Sequence, residues 1–410
     1  MAEDMRRSMV LPGSVIMPRS KRVLRSALMV AAVLLLGLPV SARAQDSATA
    51  AGAAAAPDSA GGGPEAVRPG ENLFFVKGRN FGTDAYGGPF DVIFNKGFAV
   101  AQWQGQDRNI FSYPYGWRAV WASIAHPGPA MERAGGWGAV LKRHLLPFGG
   151  DELREGQWVP NYFGHVFEGG LAYRRLLEWN RVHGVPFSTL AAVLVTQFAV
   201  AVNEAYETPV DDPWVQENGT AGLFIDFVIM DPLGMILFHQ DGVSRFVAEK
   251  LGATIWPRQA SITFPGGQLI NNGEAVVVRP KLWFTDSFRL FVRGGIGVEA
   301  GISVPREDGL EVAVGIGAQS YERRLNPDSH LETAQFAFSS GIWIDRDGSL
   351  LFQATWDEKT DRRLAIDVFP GVISVGGATV GAWFQLDREH RAYLGITARR
   401  SLGAGLGVGF

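Results

Sequence analysis

Asn161, His165, Gly169 and Tyr173 recur every fourth residue, so they start on one helix face and drift slowly around it. Glu204 and Glu207 share a face at the end of an uncharged run that opens at Pro186, and Asp226 and Asp231-Pro-Leu-Gly234 follow after a loop. An imidazole beside carboxylates can hold and move a proton near neutral pH. His165, Glu204 and Asp226 are therefore the candidate catalytic residues, with Asn161, Tyr173, Glu207 and Asp231 as candidate binding residues. Three chemistries fit them. A closed network would have His165 and Asn161 bonded to Glu204 or Asp226, only fixing how helices pack. A carboxylate-oriented His165 would instead activate water or a lipid hydroxyl. A third arrangement is a hard or borderline divalent ion on His165 with Glu204, Glu207 or Asp226. The chain has no His-x-x-x-His pair, so no metal ligand is assigned and no cofactor is expected. Nor is there a Gly-x-Ser-x-Gly elbow for a serine nucleophile.

These residues need helices to carry them, and residues 71–253 read as a helical block. The helix bearing His165 stops near Gly184, and Val185-Pro186 reverses the chain, so the next helix runs back antiparallel and returns Glu204 toward His165. Some twenty residues in each direction, at about 1.5 Å per residue, match in length. The expected geometry puts His165 within direct or water-bridged reach of Glu204 or Glu207, with Asp226 at the rim. No stretch after residue 70 has eighteen uninterrupted apolar residues, so a bundle of spanning helices is not indicated.

Beyond Gly266 the period changes to two. Val298, Ala300 and Ile302 alternate with Gly297, Glu299 and Gly301; Val312, Val314 and Ile316 with Ala313, Gly315 and Gly317; Ala382, Phe384 and Leu386 with Gly381, Trp383 and Gln385. Ten-residue alternating runs between short polar turns such as Asp345-Arg-Asp-Gly348 are the pattern of a transmembrane β-barrel. The chain ends Leu402-Gly-Ala-Gly-Leu-Gly-Val-Gly-Phe410, with one face apolar and the other bare. That strand resembles the terminal recognition strand of Gram-negative outer-membrane barrels, which implies the barrel assembly machinery as a partner. Glycines lining the interior would leave room for the helical block to pack into or across the lumen.

The N-terminus supplies a route of export. Lys21, Arg22 and Arg25 precede an apolar run, and Ser41-Ala-Arg-Ala44 offers small residues for cleavage, so residues 1–44 read as a signal peptide. Residues 45–70 are an Ala/Gly/Pro/Ser linker expected to be disordered. Of 410 residues only 19% are charged, while 51 are Gly and 12 Trp; there is no Cys, which removes disulfides and thiolate sites. A net charge of −3 argues against nucleic acid as a partner.

Asn161-Tyr-Phe-Gly-His165, Gly169-Gly170, Tyr173, Asn203-Glu-Ala-Tyr-Glu207, Asp226 and Asp231-Pro-Leu-Gly234 together resemble the bacterial envelope family called domain of unknown function 3943. The likeness covers about residues 158–238. Val166 and Asp231 stand where that family usually has Pro and Thr. The resemblance implies an envelope location and a helical segment ahead of a membrane barrel, and it brings no reaction.

The expectation is thus an α+β membrane protein of the outer membrane: a helical block over 71–253, then an antiparallel barrel of about eight strands over 254–410. Its constellation would act on or bind outer-membrane lipid. The alternative is a structural or transport barrel in which the same residues are a packing network.

Overall fold

The computed structural model describes residues 72–103, 108–109, 116–146, 161–208, 212–325, 332–375, 378–398 and 404–410. The expected signal peptide and linker lie outside the described residues, as do Leu402 and Gly403.

Short helical turns fill Gly82–Gln102, and longer elements follow: α1 (Trp117–Ala125), α2 (Trp137–Leu145), α3 (Gly170–Val182), α4 (Ser188–Glu207) and α5 (Asp231–His239). Helix α4 is long because its run lacks Gly and Pro, and it stops before Pro209. Four segments have the wider π-helical turn: Ile93–Gly97, Asn161–Gly169, Asp226–Met230 and Phe246–Lys250. The last of these ends four residues before the first strand begins at Thr254.

Thirteen strands then form one mostly antiparallel sheet, not closed, in the order β1-β4-β5-β6-β7-β8-β9-β10-β11-β12-β13-β2-β3. The expectation of about eight strands falls short. It missed the short strands β1 (Thr254–Pro257), β2 (Ser261–Thr263), β3 (Leu269–Ile270) and β4 (Glu274–Val278), whose few residues show no resolvable alternation. The rest form a meander from β5 (Arg289–Gly294) and β6 (Gly297–Pro305) through β7 (Leu310–Leu325), β8 (Glu332–Arg346), β9 (Ser349–Asp357), β10 (Leu364–Val375), β11 (Ala378–Leu386) and β12 (Ala392–Ala398) to β13 (Gly405–Gly409). Strands β1 and β2 are neighbours in the chain, yet β1 pairs with β4 and β2 pairs in parallel with β13, at opposite ends of the meander.

Burial on this sheet is inverted relative to a soluble one. Leu290, Val298, Ile302, Val314, Ile316, Phe336, Phe338, Ile396, Leu406 and Val408 are exposed, and Ile316 keeps 62% of its surface. The other face buries Arg293, Glu299, Glu311, Asp345, Gln353 and Asp367. Buried charge is tolerated only when paired. Here Arg293 donates to Glu299 at 2.7 Å and Arg279 to Asp345 at 2.6 Å. Arg258, in the link between β1 and β2, donates to Asp367 of β10 at 3.0 Å and to Thr355 of β9 at 2.9 Å, so the sheet curls round this polar interior. Trp256, Phe291, Trp343, Phe369 and Tyr86 fill the space beside the ion pairs.

The interior glycines have a different explanation from the one their pattern suggested. Side chains and backbone of the sheet itself lie over them, not the helices. A Cβ on Gly395 would sit 2.3 Å from the Trp383 ring and one on Gly341 2.6 Å from the Trp343 ring, while the Tyr393 ring would meet one on Gly409 at 2.7 Å. Trp383 is held there by its Nε1, which donates to Ser261 Oγ at 2.8 Å. The tryptophans divide accordingly: Trp343 and Trp383 are interior, whereas Trp283 is exposed.

Most of the helical block packs on the opposite, outward face, but the turn at residues 82–86 enters the interior, where Leu350 N donates to Thr83 Oγ1 at 3.0 Å and the Tyr86 hydroxyl bonds Thr397 Oγ1 at 2.6 Å. Ile255 of β1 and Val276 and Val278 of β4 meet Leu171, Ala172, Phe238 and Val247, while the intervening Trp256 and Val277 point into the interior. A Cβ on Gly294 would lie 2.2 Å from the Phe163 ring, so the bare backbone of β5 receives that ring. Residues 74–76 are strapped to α3 by three backbone N–H groups that donate to Glu178 Oε2 at 3.0, 2.8 and 3.0 Å.

Candidate functional site

The site lies where the π-helical segments Asn161–Gly169 and Asp226–Met230, the start of α5 and the end of α4 converge. Gly170 and Gly234 permit that approach. A Cβ on Gly234 would fall 2.6 Å from Val166 O and 2.9 Å from His165 O, and one on Gly170 would fall 2.6 Å from Gly234 O. The helices therefore touch backbone to backbone, and Asp231, one turn before Gly234, comes up against His165.

His165 Nδ1 lies 3.3 Å from Asp231 Oδ1, and its Nε2 lies 3.7 Å from Asp226 Oδ2. Glu204 completes the group: one donor atom from each of His165, Glu204 and Asp226 lies within 4.8 Å of the others. Asp231 is buried and its Oδ2 has no hydrogen-bond partner. Burial opposes charge on His165, but Asp226 and Asp231, reinforced by Glu204, outweigh it and push its pKa up to about 10.

The structure thus brings together His165, Glu204, Asp226 and Asp231 and gives the other three candidates partners of their own. Asn161 Nδ2 pairs with His144 Nδ1 at 2.9 Å, the Tyr173 hydroxyl with His239 Nδ1 at 2.8 Å, and Asn203 Nδ2 donates to Glu207 Oε1 at 2.9 Å. Asn161 and His165 share the π-helical segment, but Asn161 turns to His144 while His165 turns to Asp231. Asp231, expected as a binding residue, is the direct partner of the imidazole, and Asp226 sits at the more open edge.

Lys96, Glu168 and Glu274 escaped the sequence reading. Glu168 shares the His165 segment, Lys96 sits in Ile93–Gly97, and Glu274 opens β4 on the face that carries Val276 toward the helices. Gly97 packs against α4, where a Cβ would meet Ala199 O at 3.1 Å. Burial works against the Lys96 charge, but Glu168, Glu274, Asp231 and Glu204 together raise its pKa. Burial also lifts Glu168 to about 7, with Lys96 opposing and Glu274 adding to the rise. A lone lysine inside the apolar stretch Val92–Val100 was the available signal for this second cluster.

His144 is the opposite case. Burial, then the charges of Arg143 and His165, lower its pKa to about 4, so the ring is neutral and its Nδ1 accepts from the Asn161 amide.

Compared with protein-family models, with curated proteins and with solved structures, the chain matches none.

Proposed function

We propose that the protein is an outer-membrane β-barrel, exported by its N-terminal signal peptide, whose helical block docks mainly on the outside of the barrel wall and offers the His165 centre to envelope lipid. The observation that carries this reading is the inverted burial of the sheet, with apolar side chains outside and ion pairs inside. In water such an exposed apolar face would be a liability; in a bilayer it is the favourable arrangement. Closure into a barrel is supported by the pairing of β1 and β2 with opposite ends of the meander. The resemblance of residues 158–238 to an envelope family supports the same location.

Lipid, as the class of molecule acted on or bound, follows from the placement of the helices. They cover the outward face at β1 and β4, next to the bare apolar face of β5 and β6. Helix α4 carries the centre's Glu204 near its end and exposes Leu190, Leu194 and Phe198 at four-residue spacing. It and the stretch Pro213–His239 are each long and apolar enough to cross a membrane. A transport role is the weaker alternative, because aromatic side chains and ion pairs fill the described interior. A purely structural role has one observation in its favour: the buried charges of Glu168 in the block and Glu274 of β4 both act on Lys96 between them.

The test is fractionation of cells expressing the full chain, with a heated and unheated gel comparison and lipid profiling of the detergent-purified protein. An outer-membrane protein with heat-dependent mobility and bound lipid that changes in His165→Ala is expected. A water-soluble protein without bound lipid would refute the membrane reading. An unchanged lipid profile in assembled His165→Ala would leave the packing-network role.

A further inference from the structure

We infer that His165 Nε2, Glu204 and Asp226 form a binding site for one divalent cation of hard or borderline character, with Asp231 as the residue that positions the imidazole. The inference deepens the proposed role of the His165 centre and is tested by a readout that does not depend on lipid.

The distances are those of ligands around an ion. At 3.7 Å, Nε2 and Asp226 Oδ2 are too far apart for a good hydrogen bond, yet they face each other. Two donors on one ion at about 2.1 Å stand roughly 3.0–3.4 Å apart in octahedral or tetrahedral geometry. The three donor atoms, mutually within 4.8 Å, need only a small inward movement to reach it. One imidazole nitrogen and two carboxylates suit zinc or manganese better than calcium, which prefers all-oxygen shells.

Asp231 supplies an independent observation. A metal-binding histidine ordinarily gives its other ring nitrogen to a carboxylate, which fixes ring orientation and tautomer. His165 Nδ1 has such a partner at 3.3 Å in the buried Asp231. This arrangement leaves Nε2 as the nitrogen aimed at Glu204 and Asp226. The other carboxylate oxygen, Asp231 Oδ2, is buried without a hydrogen-bond partner. His165 and Asp226 both lie on π-helical segments, an irregularity that costs regular hydrogen bonds and is frequent at functional sites. The local charge points the same way: Glu204, Asp226 and Asp231 gather round His165, and Lys96 divides its attraction among Glu168, Glu274, Asp231 and Glu204.

The experiment uses the full chain in detergent, stripped with chelator and titrated with Zn²⁺ by calorimetry and with Mn²⁺ by electron paramagnetic resonance. One ion per chain is expected. The near-isosteric Glu204→Gln and Asp226→Asn variants should each lose affinity by more than Asp231→Asn, for which a loss of roughly 10–100-fold is expected. Heat-dependent mobility of each variant establishes that it is assembled. Glu249→Gln, an exposed carboxylate outside the site, should bind like the parent. No binding of either ion to the assembled parent, or undiminished binding in assembled Glu204→Gln and Asp226→Asn, would overturn the site. Either failure leaves the lipid reading standing, because that rests on fractionation and lipid profiles.

Discussion

His165 Nδ1 and Asp231 Oδ1 stand 3.3 Å apart across 66 residues of sequence, and two glycines make that contact. Gly234 lies against the carbonyls of Val166 and His165, and Gly170 against Gly234 itself. The motif Asp231-Pro-Leu-Gly234 is therefore one device. The glycine brings the helix in, and the aspartate one turn earlier receives the imidazole.

Gly234→Ala should separate the two helices, because its Cβ would fall 2.6 Å from Val166 O. A destabilisation of about 1–3 kcal/mol is expected from forcing a methyl into packed backbone. Gly164→Ala, in the same π-helical segment as His165, is the control, since a Cβ there meets nothing within 4 Å. Thermal unfolding in detergent compares them, and equal melting of the two variants would contradict the close-packing argument.

Ile316→Arg separates a membrane wall from a soluble sheet. Ile316 is 62% exposed, so in water the change would be nearly neutral. Facing the middle of a bilayer, it should cost about 2–4 kcal/mol. Unfolding measured in lipid vesicles decides between the two, and a neutral result would count heavily against membrane insertion.

Phe410→Asp should lower the amount of assembled, heat-modifiable protein without reducing export. The side chain is 72% exposed, whereas the backbone exchanges hydrogen bonds with Ala392 at 2.9 and 3.0 Å. The substitution keeps those bonds and removes only the ring, so the assay isolates recognition of the terminal aromatic. Parental levels of assembled Phe410→Asp would show that the ring is not read.

Trp383→Ala should uncover Gly395 and Gly407 and lose the donor to Ser261. Removing a buried Trp typically costs about 3–5 kcal/mol. A melting temperature equal to the parent's would mean that the ring over these glycines contributes nothing.

The pH dependence on the acid side follows from His144. Its pKa is lowered to about 4 from an ordinary 6.5, so the folded state holds the ring neutral while the unfolded chain protonates. This contribution is complete above pH 6.5 and lost as pH falls through 4. His144→Gln, which does not titrate, should flatten the decline between those limits in a series of thermal melts. An unaltered acid limb would remove His144 as its cause.

The alternation of β6, β7 and β11, the apolar run of α4 and the polar turns are local properties, because a strand or helix face is defined by residues two to four apart. They are readable from the chain alone, and so were the identities of His165, Glu204, Asp226 and Asp231. Which of the polar residues meet was decided by tertiary structure. Spacing put Asn161 and Tyr173 in line with His165, whereas the fold gives them His144 and His239 as partners. Lys96 and Glu274 reach the centre's surroundings only because the block packs on the outward face of β4. The interior glycines read as empty space in sequence, since nothing local reveals that Trp343 and Trp383 fold over them. Long-range packing selects among faces that local periodicity leaves equivalent, and here it put the long helices outside the sheet and the rings, with the turn at residues 82–86, within.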